Sequence, residues 1–127
     1  MKFIRLVIIF IISLLFVCNA YSENWILIDT QPNGDNTYID PSTIKYNDGY
    51  RTAWTHVNVA KPKKSMKNMK NAKVKYKVFC GKNKYTIEYI AAYDAKGGVI
   101  HSGYTRDINE AVPGSIGEVI YNFVCNE

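Results

Sequence analysis

Residues able to do chemistry are few in this chain, and they fall into three groups. His56 and His101 are the only histidines. A metal site would need two or three further ligands, and a catalytic site a nucleophile with a base and an orienting partner. The sharpest enzyme reading is a two-histidine secreted hydrolase acting on phosphodiesters. The two residues share no recognisable spacing, and two ordinary strand histidines are the simpler account. Asp40, Asp94, Asp107 and Glu110 lie in or beside turns, where carboxylates cap and solvate the backbone, and nothing pairs them for acid–base work. There is no glycine-rich phosphate loop and no Cys-x-x-Cys pair. No catalytic residue, metal ligand or cofactor is therefore expected.

The second group is a lysine run. Residues 61–84 hold ten lysines and no acidic residue. Lys63, Lys64, Lys67 and Lys70 fall in a stretch from Pro62 with no usable period, which reads as a mobile loop. From Lys73 the pattern tightens. Lys73, Lys75 and Lys77 alternate with Val74, Tyr76 and Val78, so the segment reads as a strand with one basic face. These seven lysines, with Tyr76, Phe79 and Tyr85 nearby, could hold a polyanion such as a sulfated glycan, a lipid phosphate, nucleic acid or an acidic host protein. The competing account is a solvated strand edge, because lysine guards exposed strands against edge-to-edge pairing. The whole chain carries a formal charge of +5. Without Lys2 and Arg5 this becomes about +3, modest for a nucleic-acid binder, and no specific nucleic acid is expected.

The third group is the cysteines, and they depend on what precedes them. Lys2 and Arg5 are followed by an almost wholly apolar run, Leu6 to Val17, and then by Cys18-Asn19-Ala20. This is the layout of a secretory signal peptide, and its apolar core is shorter than the roughly 20 residues of a membrane span. Residues 1–20 are expected to be removed, with cleavage after Ser22 as the alternative, and residues 21–127 to form one domain. A minority reading makes Cys18 the acylated residue of a lipoprotein signal, against which stands the bulky Val17. Loss of Cys18 leaves Cys80 and Cys125, which are expected to bridge in an oxidising compartment. The bridge would be worth roughly 4 kcal/mol in the chain-entropy model. Two buried free thiols are the alternative.

These groups must be positioned by the elements around them. Ser115 and Glu118 form a capping box, in which the Ser hydroxyl accepts the Glu118 N–H and the Glu side chain returns to the Ser115 N–H. After it, Ile116, Val119, Ile120, Phe123 and Val124 make one apolar stripe of a helix. The stripe must cover a sheet, since the rest of the chain offers only strands. A helix running straight to Cys125 would point that residue away from the stripe, so the helix is expected to fray or end near Val124. Strands are expected at Trp25–Ile28, Thr37–Ile39, Tyr50–Ala60, Lys73–Cys80, Tyr85–Tyr93 and Val99–Thr105, separated by turn signals rich in Gly, Asn and Asp. Within Tyr85–Tyr93, alternation places Tyr85, Ile87, Tyr89 and Tyr93 on one face. Short turns make the sheet antiparallel.

Several of these pieces occur in a telling order: Trp25-Ile26-Leu27-Ile28, then Tyr38-Ile39-Asp40-Pro41-Ser42-Thr43-Ile44, then Trp54 and Cys80. The chain closes with Pro113-Gly114-Ser115-Ile116-Gly117-Glu118 and Tyr121-Asn122-Phe123-Val124-Cys125. Together they resemble the surface-adhesin protein E family of small exported bacterial proteins, over nearly the whole of residues 21–127. The resemblance implies an α+β fold: one antiparallel sheet of about six strands with a C-terminal α-helix packed on one face. It also implies a sheet-to-helix bridge, which matches Cys80 and Cys125.

For function, the resemblance implies an envelope or surface protein that engages host extracellular proteins. Taken with the lysine run, the expectation is a non-enzymatic adhesin whose ligand is a host extracellular-matrix protein or a polyanionic glycan. The matched motifs are structural, so no binding residue is carried over from the family. The expected contact is the basic loop and strand. The alternative is a periplasmic binding or inhibitory module, for example against a host lysozyme. Such cationic partners suit a basic surface poorly. The expected location is the periplasm, the outer-membrane surface or the medium, with membrane attachment only through the export signal or a lipid on Cys18.

Overall fold

The computed structural model describes residues 23–126 and residue 4. Apart from residue 4, the expected signal segment, Cys18 included, lies outside the described residues. The strands are β1 (Ile26–Thr30), β2 (Asn36–Ile39), β3 (Lys45–Asn47), β4 (Tyr50–Asn58), β5 (Asn71–Phe79), β6 (Lys84–Tyr93), β7 (Val99–Tyr104) and β8 (Ile108–Glu110), followed by the helix α1 (Ile116–Cys125). They form one curled sheet in the order β1-β2-β4-β5-β6-β7, with β3 paired to β4 and β8 to β6. Every pairing is antiparallel. The two strands beyond the expected six, β3 and β8, have three residues each. β8 occupies what reads in the sequence as a plain loop before the helix.

Alternation decides which side chains are buried. Along β5, Ala72, Val74, Tyr76 and Val78 are buried while the residues between them are partly exposed. The buried set joins Ile39 and Ala53 from neighbouring strands and Ile120 and Val124 from α1 to make the core. Apolar surface removed from water in this way contributes roughly 25 cal/mol per Å². Burial raises the pKa of the Tyr76 phenol well above its ordinary value, with a smaller push from Tyr85.

The expected turn at Asp40 is present as a 3-10 turn, Pro41–Thr43. The Asp40 carboxylate accepts from the Ser42 hydroxyl (2.6 Å), the Ser42 N–H (3.0 Å) and the Asn24 N–H (3.2 Å). The Ser42 bonds lead in holding its pKa below the ordinary value, against the cost of burial. Thr43 then accepts the Trp54 N–H at 3.0 Å, which anchors β4 where it carries Trp54.

The helix begins as its cap predicts, with the Ser115 hydroxyl accepting the Glu118 N–H at 3.2 Å. The return arm differs. Glu118 accepts from Gly114 N–H (3.3 Å), because the Ser115 N–H is already donated to Val112 C=O at 3.0 Å. The face pressed to the sheet is centred on Gly117, Ile120 and Val124, rotated from the expected stripe, with Ile116 and Phe123 on one flank. This rotation also corrects the expected end of the helix. α1 continues through Cys125 and still reaches Cys80, at 5.6 Å between Cα atoms, because Cys125 sits on the flank that also carries Tyr121. Arg51 donates to Val124 C=O at 2.7 Å and satisfies one of the free carbonyls at the helix end.

β6 carries the second correction. Tyr89 pairs with Lys75 and Ile87 with Tyr76, so Glu88 is an extra residue, a bulge. The bulge inverts the alternation. Tyr85 and Ile87 face the helix, whereas Tyr89 and Tyr93 face the other way, not on one side as alternation alone predicts. Residues 62–70, expected to be a mobile loop, belong to a segment, 59–70, that is fastened to the sheet. Lys70 N–H donates to Tyr93 C=O at 2.8 Å. Asp35, 6% exposed, accepts from Lys63 Nζ at 2.7 Å and Ala60 N–H at 3.0 Å. Burial works against the charge of Asp35, and these bonds together with the Lys63 charge outweigh it, so its pKa lies below the ordinary value.

A candidate binding groove on the helix-free face

Lys73, Lys75 and Lys77 point away from the helix, and the register sets what lies beside them. Trp54 pairs with Lys75, Lys75 with Tyr89, and Tyr89 with Tyr104. One row of side chains therefore crosses the sheet from β4 to β7. Above it the Trp54 and Tyr89 rings meet edge-on at 6.1 Å and 69°, and the Tyr89 and Tyr104 rings at 4.8 Å and 63°. Aromatic pairs favour this geometry, because the positive edge of one ring meets the negative face of the next.

The row divides a groove in two. On one side is a cavity of about 730 Å³, with Lys77 and Phe79 from β5, Thr86 and Glu88 from β6, and Arg106 and Ile108 beyond β7. On the other is a cavity of about 430 Å³ that includes Lys73, Trp25, Tyr93 and Ser102. Trp54 and Tyr89 line both, so the two are halves of one surface.

Charge in the groove is mixed. Lys75 meets Glu88 at 3.3 Å and Lys73 meets Glu23 at 3.8 Å. Lys77 instead rests its ammonium over the rings of Tyr50 (4.1 Å) and Phe79 (5.6 Å). Among the described residues, neither Lys77 nor Arg106 forms an ion pair. These are the cations of the groove without a carboxylate partner.

The seven lysines singled out by sequence thus separate. Lys73, Lys75 and Lys77 lie in the groove. Lys63 is engaged with Asp35, and Lys64, Lys67 and Lys70 are exposed on the 59–70 segment, outside both cavities. Of the aromatics expected near the lysines, Phe79 lies on their face, while Tyr76 and Tyr85 pack on the helix side. Trp54 and Tyr89 flank Lys75, Tyr50 and Phe79 lie under the Lys77 ammonium, and Tyr104 extends the row beyond Tyr89. The alternation of β4 contained the signal for Trp54. Tyr89 was hidden by the bulge, and Arg106 carried no signal.

His56 also faces the groove side, with ring centroids 5.5 Å from Trp25 and 6.1 Å from Tyr38. Desolvation first, then the charge of Lys73, lowers its pKa against the opposing effects of Asn71 and Glu23. His101 pairs with Ala92, a buried residue of the opposite face. β5 and β6 separate the two histidines, which belong to different faces, so the two-histidine hydrolase has no common site here. The lowered pKa of His56 has a consequence for stability. The folded chain takes up its proton less readily than the unfolded chain. Stability should therefore fall as pH drops from the ordinary histidine value of 6.5 through the lower folded value. Thermal melts at pH 7.5 and 5.5 should show this loss, and His56→Gln should reduce it. An equal loss in the variant would assign the effect elsewhere.

The sheet thus has its core under a helix on one face and an open aromatic and basic groove on the other. The chain belongs to the surface-adhesin protein E family, whose model matches residues 25–126, from the start of the sheet to the end of the helix. No curated protein matches the chain. Within the matched span, Asp40, Ser115, Cys80 and Cys125 all serve the fold, as a turn cap, a helix cap and a bridge. No helix among the described residues is long and apolar enough to cross a membrane.

Proposed function

We propose that this protein is an exported, non-enzymatic surface adhesin that holds a host macromolecule, a matrix protein or a polyanionic glycan, against the helix-free face of its sheet. The observation that carries this reading is the row Trp54–Lys75–Tyr89–Tyr104, flanked by Lys73 and Lys77. Burying aromatic surface supplies affinity at interfaces, and cations around it steer acidic partners. The family membership supports the surface role.

Binding of the purified, disulfide-bonded protein to matrix proteins and heparin, at low and physiological salt, tests the proposal. Replacing Lys73, Lys75 and Lys77 together with Gln should weaken binding about tenfold, ~1.4 kcal/mol, and make it less sensitive to salt. Replacing Lys63, Lys64, Lys67 and Lys70 should change it by roughly threefold or less, the size of a few rim charges. The reverse ranking would move the contact to the 59–70 segment. Inaccessibility to antibody on intact cells would remove the surface role.

A further inference from the structure

Resting on the groove as the binding surface, we propose that its larger half is a site for an acidic oligosaccharide, a sugar chain carrying carboxylates. Three kinds of group meet there. The Trp54, Tyr89 and Tyr104 rings form a stepped platform. The negative face of such a ring attracts positively polarised C–H groups, which a sugar ring presents and a carboxylate does not. Lys77 and Arg106, the cations without an acidic partner among the described residues, line the same cavity. Arg presents a planar fork of donors that fits a carboxylate. Between platform and cations stands Glu88, brought to the groove side by the bulge and held to Lys75 through Oε2 at 3.3 Å. Its remaining acceptor capacity suits sugar hydroxyls.

The same features disfavour other acidic chains. An extended peptide gains most of its affinity by pairing its backbone with a sheet edge. In this groove β4, β5 and β6 are paired on both sides and offer only side chains, and the open edge strand β7 contributes to the larger half only through Tyr104. A chain with a charge on every unit, such as an oligoglutamate or an oligonucleotide, would bring repeated anions against Glu88. A sugar chain with one carboxylate in each pair of units places neutral rings there.

The test is calorimetric titration of the purified protein with a hexasaccharide of alternating glucuronic acid and N-acetylglucosamine. Its carboxyl-reduced form, hexaglutamate and a thymidine hexanucleotide are the comparison ligands. The acidic hexasaccharide should bind, and each comparison ligand should bind at least about fivefold more weakly. Tyr104→Ala should weaken binding about five- to tenfold, the order of one aromatic contact, and should leave the fold intact because Tyr104 is 82% exposed. Arg106→Gln should reduce binding of the acidic form and leave the carboxyl-reduced form unaffected. Equal binding of hexaglutamate or of the hexanucleotide would overturn the proposal, as would an unaltered affinity in Tyr104→Ala. If the hexasaccharide fails while matrix protein still binds with the dependence on Lys73, Lys75 and Lys77 described above, the sugar site is wrong and the adhesin reading stands. If neither binds, both fall.

Discussion

Replacing Cys80 and Cys125 together with Ser should cost about 2–5 kcal/mol and lower the melting temperature by about 10–25 °C. The bond joins the end of β5 to the last turn of α1 across a sequence separation of 45. In the unfolded chain it removes much of the freedom of that span. In the folded chain it holds the end of the helix whose Ile120 and Val124 are fully buried against the sheet. A domain of this size has about 5–15 kcal/mol in all, so the loss is a large fraction of its stability. Urea unfolding of the oxidised, reduced and doubly substituted proteins measures it. The reduced and substituted forms should agree with each other. A loss under about 1 kcal/mol would show that Arg51 and the buried helix face hold the element without the bridge.

The second large effect is expected at Gly117. A Cβ there would lie 2.4 Å from Tyr85 Cε1 and 2.6 Å from Tyr85 Cζ and Oη. No real contact is that short, so the ring or the helix must move. The Tyr85 ring is itself packed on Tyr76, at 5.7 Å between centroids, and Tyr76 is buried in the core. Gly117→Ala should therefore destabilise by about 1–3 kcal/mol through overpacking. This should exceed the roughly 0.5–1 kcal/mol that alanine gains over glycine within a helix. A double-mutant cycle identifies the cause. In a Tyr85→Ala background the added methyl has room, and Gly117→Ala should become neutral or mildly stabilising. An equal penalty in both backgrounds would show that Tyr85 is not the obstacle.

Gly117 shows why sequence reading reached only part of this fold. Its place beside Ser115 and Glu118 is set by the cap, and the cap is local chemistry. That the helix comes close enough to leave no room for a methyl depends on how near the sheet lies. An apolar stripe gives a face to within a few tens of degrees. The closest approach then chose Gly117, Ile120 and Val124 as its centre, and Cys125 followed onto a flank from which it reaches Cys80.

The groove divides in the same way. The alternation of Lys73, Lys75 and Lys77 with Val74, Tyr76 and Val78 was enough to put the lysines opposite the core, because a strand has only two faces and the apolar one must be covered. The same rule failed in β6, where no glycine or proline marks the extra residue. Glu88 bulges because nine residues of β5 must pair with ten of β6, and that mismatch exists only once the strands are side by side. The sequence by itself determined the six longer strands, the caps at Asp40 and Ser115, the cysteine pair and the basic face. The strands, caps and basic face follow from periodicity or from hydrogen bonds between residues near in the chain, and the cysteine pair from the even count left once the expected export signal is set aside. Tertiary structure alone decided that Tyr89 crosses to the lysines, that Trp54 and Tyr104 join it in one row, and that Arg106 shares the cavity of Lys77. Those neighbours come from different strands, and register between strands is a property of the assembled sheet.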